Sequence, residues 1–170
     1  MKQVMRKTSA VLLAVVMMMA LVACGGGEDT KESVQKTVDD LQAKLTEAMS
    51  GYSNVFQNQE ALTDPTQAKE MIDKAGQMID DAISACDSVE APGPDSQKYR
   101  DLVKDLLGVL KNMMDEIKGI DMSDSSAAMS VASKYLSEMM TKSSDAQKEV
   151  EELVKKYGIT APTAATTAAQ

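Results

Sequence analysis

Methionine is the residue type in this chain with the clearest capacity for metal chemistry. The chain contains 14 methionines and no histidine, and thioether sulfurs are soft ligands that can hold Cu(I) without imidazole. Several methionines instead recur at the spacing of an apolar helical core, namely Met71, Met78, Met113, Met129 and Met139. Flexible thioethers fill irregular gaps in such cores. We therefore expect them to pack rather than bind copper, and we predict no metal site and no cofactor.

Acidic residues offer two further kinds of site, a calcium loop and paired carboxylates. Residues 121–125 begin like a calcium-binding loop, but the sixth position holds no glycine and Ala132 stands where a bidentate glutamate is needed. Helix capping explains this segment better. Adjacent carboxylates occur as Asp39-Asp40, Asp80-Asp81 and Glu151-Glu152. These pairs lie off the apolar positions and have no nucleophile or phosphate-binding loop beside them, so we expect solvated helix faces.

The residues that most enzymes use are scarce. Without histidine the chain has no imidazole base, no histidine-bearing zinc or haem site, and no Glu-x-x-His pair of the kind that builds di-iron centres in helical bundles. Cys86 is the only cysteine that follows Cys24, and its apolar neighbours at helical spacing predict an inert buried thiol. We predict that the protein is not an enzyme.

The first 24 residues have the layout of a secretory leader. Lys2, Arg6 and Lys7 form a basic start without acidic residues, and residues 10–22 form an apolar run without charge. Leu21-Val22-Ala23-Cys24 follows at once. This combination resembles the lipobox signal peptide of bacterial lipoproteins.

The resemblance implies that the Cys24 sulfur receives a diacylglyceryl group and that cleavage removes residues 1–23. The mature protein would then be held in the cell membrane by its acylated cysteine, on the extracytoplasmic face. Gly25-Gly26-Gly27 reads as a flexible tether, so we assign residues 24–29 to the lipidated cysteine and tether. The alternative is an ordinary secreted protein, or an uncleaved transmembrane anchor, in which Cys24 is incidental.

Charge narrows the choice of partners. Loss of the leader's three cations takes the formal net charge from −8 to −11. A strongly acidic domain is repelled by nucleic acid and by anionic headgroups, so we predict no nucleic-acid partner. Contact with the bilayer must come through the lipid on Cys24.

Four amphipathic helices fill the rest of the chain, over about 30–57, 65–90, 95–119 and 125–157. Apolar residues recur every three or four positions in each, as in a coiled-coil seam. Asp29 with Glu32 suggests a capping box for the first helix, and Asp64-Pro65 is a strong start for the second. In the fourth helix the predicted seam is Met129, Ala132, Leu136, Met139, Ser143, Ala146, Val150, Leu153 and Tyr157.

Short connections between long helices predict an all-α, up-down-up-down four-helix bundle over residues 30–158. Residues 159–170, mostly Ala and Thr, are predicted to be a disordered tail. This topology puts the tether at one end and the first and third connections at the other, membrane-distal end. Four apolar residues are predicted to meet there and to form a binding surface or to plug the core: Phe56, Leu62, Ile120 and Met122.

These observations predict a lipid-anchored, non-enzymatic interaction or scaffolding module whose possible protein partner meets the membrane-distal end. The alternative from another class is a carrier that holds a small apolar ligand or a metal in the bundle interior or at its distal mouth. The Ala-rich and Met-rich second helix favours the carrier weakly. Neither hypothesis rests on a motif after Cys24.

Overall fold

A computed structural model describes residues 27–57, 64–120 and 125–162 of the chain. It contains helix α1 (Lys31–Gln57), α2 (Pro65–Ser88), α3 (Pro94–Lys118) and α4 (Ser125–Tyr157). The described residues include no strand. The predicted all-α four-helix bundle is confirmed, with neighbouring helices antiparallel. None of the described helices is both long and apolar enough to cross a membrane.

Local signals in the sequence set the helix ends. At α1, the N–H of Ser33 donates to Thr30 Oγ1 (3.2 Å) and the N–H of Thr30 donates to Ser33 Oγ (2.9 Å). The capping box thus uses Thr30 and Ser33, and the expected box of Asp29 and Glu32 is wrong by one residue. At α2, Asp64 accepts from two backbone N–H groups, as predicted.

Asp29 caps a different helix from the one expected. Gly93 stands at the N-cap of α3 and offers no side chain. The Asp29 carboxylate fills that role from 66 residues away, accepting from the backbone N–H of Asp95 (2.8 Å) and from the hydroxyl of Ser96. A Cβ on Gly93 would lie 2.7 Å from the Asp29 backbone nitrogen, so only glycine permits this approach. The last residue of the predicted tether is therefore held against the fold.

We call the end of the bundle at which Asp29 contacts the start of α3 the base. The segment that follows α4 also packs at the base. Gly158 has φ 64°, the left-handed conformation that favours glycine after a helix, and its N–H bonds to the Val154 carbonyl (2.9 Å). Ile159 is buried, and the Thr160 N–H donates to Gln35 Oε1 (2.7 Å) on α1. The packed chain thus continues two residues into the segment predicted as tail, while residues 163–170 lie outside the described part.

The core lies between α1, α2 and α3. These three helices contact one another, including across the α1–α3 diagonal. Their largest fully buried side chains include Leu41 from α1, Ile79 from α2, and Leu107, Leu110 and Met113 from α3. Thr37 joins the base of α1 to the end of α2 because its hydroxyl donates to the Glu90 carbonyl (2.7 Å). The first three helices therefore form the closed centre of the bundle.

Helix α4 is the peripheral member. It packs along α3, meets α1 only briefly, and has no contact with α2 in the described residues. Among the α4 side chains that the structure describes, few are consequently buried: Val131, Ala146, Glu149 and Leu153. The predicted α4 seam is wrong at Met129, Leu136 and Ser143, which are exposed. A helix covered by one neighbour buries a narrow stripe, and here that stripe is rotated away from these three residues.

Candidate functional site

Most of the predicted distal-end patch lies outside the described residues. Leu62 and Met122 fall in the two connections that are not described, and the Phe56 side chain is outside the description as well. Ile120 follows α3, is half-exposed, and donates its N–H to the Ile117 carbonyl (3.2 Å). Cys24 also precedes the described residues. The distal-end patch and the acylated cysteine both stay predictions.

The methionines divide between the core and the surface. Met113 and Met114 are buried in the core on α3. On α2, Met78 fills the space beside Gly51, where an added Cβ would lie 2.9 Å from its sulfur. Core packing is confirmed for Met113, and Met71 and Met139 are partly buried against the core, whereas the same expectation is wrong for Met129, which is exposed.

Many charged residues of the described part of the chain form ion pairs at the surface of the bundle. Asp80 pairs with Lys111 (2.7 Å), and Asp40 pairs with Lys36 (3.3 Å). Glu149 is a buried carboxylate that no pattern in the sequence indicates. It pairs with Lys98, and the hydrogen bond to Glu149 raises the pKa of Lys98. In the part of the chain that is described, no three His, Cys, Asp or Glu residues are placed to hold a metal ion.

Cys86 is a free thiol in the core. Its side chain is fully buried, and burial raises the pKa of the thiol. A protonated, enclosed thiol is a poor nucleophile and a poor metal ligand. This position confirms the buried thiol expected from the sequence.

The most unusual surface in the structure is the solvent side of α4. Met129, Leu136 and Met140 are 71%, 56% and 65% exposed, and they are the only large hydrophobic side chains of the described residues at this level. They recur with Ser133, Ser143 and Gln147, all exposed, at alternating steps of four and three residues. We call these six residues the outer stripe: Met129, Ser133, Leu136, Met140, Ser143 and Gln147.

The outer stripe carries no charge because the charges of this half of α4 lie elsewhere. Four charged residues occur between positions 129 and 147, and at 100° per residue they lie about half a turn from the stripe: Lys134, Glu138, Lys142 and Asp145. Lys142 binds Asp105 of α3 (2.7 Å). The two lysines of this set thus face α3 and leave the outer stripe uncharged.

After the Lys142–Asp105 pair, Glu116 of α3 provides a second polar contact with the first half of α4. Its carboxylate accepts from Lys134 Nζ (2.6 Å) and from the Tyr135 hydroxyl (2.8 Å). The hydrogen bond from Lys134 and, to a smaller extent, the one from Tyr135 lower the pKa of the Glu116 carboxyl. In this half of the helix Val131 is buried, while Tyr135 and Met139 are half-buried. Ion pairs and hydrogen bonds therefore supplement a thin apolar contact.

Sequence reasoning missed the outer stripe because it assigned Met129 and Leu136 to the core. The signal was present, since α4 has two sets of apolar residues at helical spacing and only one can face α3. The position of Lys134 and Lys142 could have distinguished the two sets.

No family model matches the chain, and no match to it was found among the curated proteins or the solved structures.

Proposed function

We propose that this protein is a membrane-anchored lipoprotein on the extracytoplasmic face of the cell membrane, and that its bundle is a non-enzymatic interaction module. The contact surface in this proposal is the outer stripe of α4. The observation that carries it is the exposure of Met129, Leu136 and Met140 on one side of one helix. Several large apolar side chains left in water on one helix face are typical of protein contact sites.

The exposed apolar area of the outer stripe favours binding of a partner. Removing apolar surface from water contributes about 25 cal/mol per Å², or ~1.5–3 kcal/mol for a fully buried Leu or Met side chain. A single chain leaves most of that stabilisation unused at the outer stripe. A partner that covers the stripe recovers it, and no charge on the stripe has to be desolvated.

The position of the stripe suits a tethered protein. Asp29 binds the start of α3, and Tyr157 at the end of α4 donates its hydroxyl to Asp95 there (2.7 Å), so both mark the base of the bundle. At a rise of 1.5 Å per residue, Gln147 lies about 15 Å and Met129 about 40 Å above Tyr157. With a lipid at Cys24, the stripe would face sideways, clear of the headgroups.

A carrier of small apolar ligands has less support. The centre of the core is filled by side chains such as Leu107, Leu110 and Met113. A cleft between α2 and α3, of about 230 Å³, has charged and amide walls that include Asp73, Gln77, Asp80, Asp115 and Lys118. Such walls do not suit an apolar molecule.

Two measurements test the proposal. Labelled palmitate should enter the parent chain and should not enter a Cys24→Ala variant, which should leave the membrane pellet or stay unprocessed. A photocrosslinking amino acid at Leu136 should give adducts on intact cells, and the same amino acid at exposed Glu70 on α2 should give none. Membrane retention of the variant, or equal adducts from both positions, would contradict the proposal.

A further inference from the structure

The outer stripe repeats with the spacing of a two-stranded coiled coil. Steps of four and three residues alternate from Met129 to Gln147, so the stripe divides into two heptad positions. The d positions are Met129, Leu136 and Ser143, and the a positions are Ser133, Met140 and Gln147. A seam of this kind is completed by another helix with the same repeat.

The residues on either side of the seam narrow the choice of that helix. Coiled coils usually place charges at the e and g positions, where they select the partner. Here the e positions hold only serine and the g positions only alanine or methionine: Ser130, Ser137, Ser144, Ala132, Met139 and Ala146. The contact surface therefore offers no charge to select a charged partner, and small serines allow close approach of a second helix backbone.

Because the whole chain is strongly acidic, two copies can associate only through a surface that carries little negative charge. The chain carries a formal net charge of −8, and −11 once the three cations of the leader are removed. Two copies repel each other at long range. The outer stripe is a face on which two copies can meet without placing like charges in contact, because Lys134 and Lys142 of each copy remain bound to α3.

We propose that the outer stripe pairs with the outer stripe of a second copy of this chain, in a parallel two-stranded arrangement. This inference rests on the proposed function, since the direction follows from the anchor. Two copies held at their bases in one membrane point the same way, so their α4 helices run parallel. A two-fold axis along the helices then places each residue of the stripe opposite its own counterpart: Met129 meets Met129, Leu136 meets Leu136, and Met140 meets Met140.

The proposed contact between the two outer stripes is short, so its affinity should be low. From Met129 to Gln147 the helix rises about 27 Å, and a helix about 10 Å wide covers on the order of 300–500 Å² per copy over that length. A standard interface buries roughly 800 Å² per partner. The pair is therefore weak in dilute solution and becomes populated where the lipid anchors raise the local concentration.

The test uses the full chain in its own membranes, with one cysteine added at a time and a short bis-maleimide as crosslinker. The parent chain's own Cys86 is buried. Ser133→Cys and Gln147→Cys lie at the two ends of the a positions, and Ser84→Cys is a matched exposed control on α2. Both stripe cysteines should yield crosslinked dimers, whereas Ser84→Cys and the parent chain should not. Adding Leu136→Ser to Ser133→Cys should lower the dimer yield by about tenfold.

Each other outcome identifies what has failed. Crosslinking through Ser133→Cys but not through Gln147→Cys would overturn the parallel pair, because an antiparallel pair brings only residues near its axis together. Equal crosslinking at Ser84→Cys would indicate random collision and overturn the pairing. Absence of dimers while the chain sediments with membranes and carries palmitate would overturn the pairing and leave the anchor intact. Loss of the chain from the membranes would overturn the anchor, and with it the parallel direction.

Discussion

The orientation of α4 can be tested with one substitution made at two leucines. Leu110 of α3 is 0% exposed in the centre of the core, whereas Leu136 of α4 is 56% exposed on the outer stripe. In the sequence, Leu136 belongs to the predicted α4 seam and Leu110 lies at the same spacing, four residues after Leu106 and three before Met113. The sequence therefore predicts similar costs for Leu110→Ala and Leu136→Ala. The structure predicts very different costs.

Burial sets the two magnitudes. Truncating a buried leucine removes its transfer free energy and leaves a cavity, which together cost ~2–5 kcal/mol. For a domain of about 150 residues this lowers Tm by roughly 5–15 °C. At Leu136 much of the side chain is already in water, so the loss should be at most about 1 kcal/mol, or a few degrees. The higher helix propensity of alanine offsets part of that small loss.

Helical circular dichroism during thermal and urea unfolding measures both effects. The protein should be dilute and free of lipid, so that pairing through α4 does not contribute, and the m-value should be the same for both variants. A Leu136→Ala variant as destabilised as Leu110→Ala would refute the reasoning. It would place Leu136 in the core and remove the outer stripe as a surface.

Two further predictions concern the electrostatic contacts of α3 with α4. Glu116→Gln, or high salt in the parent chain, should speed amide hydrogen exchange in the first half of α4 more than in α3. The reason is that ion pairs hold the first half of α4 against α3. Equal changes of the exchange rates in both helices would contradict this prediction. Hydrogen bonds from Lys156 and then Tyr157 lower the pKa of Asp95 below its ordinary 3.8, so this group stabilises the fold above that pH and the contribution disappears as pH falls further. Asp95→Asn should therefore be less stable than the parent chain at pH 7, and the difference in Tm should shrink towards pH 2; a difference independent of pH would contradict the assignment.

Helix ends could be predicted because their causes are local. Asp64-Pro65 supplies a cap and a residue already fixed in helical geometry for α2, and Pro94 supplies only the second of these for α3. Gly158 allows the left-handed residue that ends α4. Each signal acts within a few residues, so the sequence contains the whole interaction.

The contacts that were mispredicted depend on residues distant in sequence. Asp29 caps α3 rather than α1, and its partner Ser96 lies 67 residues away. The same reason applies to α4. Periodicity shows which apolar residues share a face, but not which neighbouring helix covers that face. Because α4 lies against α3 and barely meets α1, Leu136 stayed in water although its spacing suited a core.

Helix α4 has two apolar stripes, but among the described helices only α3 lies beside its first half. Only one of the two stripes can therefore be buried. The inner stripe faces α3 because it buries Val131, Ala146 and Leu153. The ion pairs of Lys134 with Glu116 and of Lys142 with Asp105 favour the same rotation, although exposed ion pairs contribute little to stability on their own. The outer Met129, Leu136 and Met140 then add little to the stability of a single chain. A second bundle covering them would make α4 a helix with a neighbour on each side, with α3 of its own chain inside and α4 of the other copy outside.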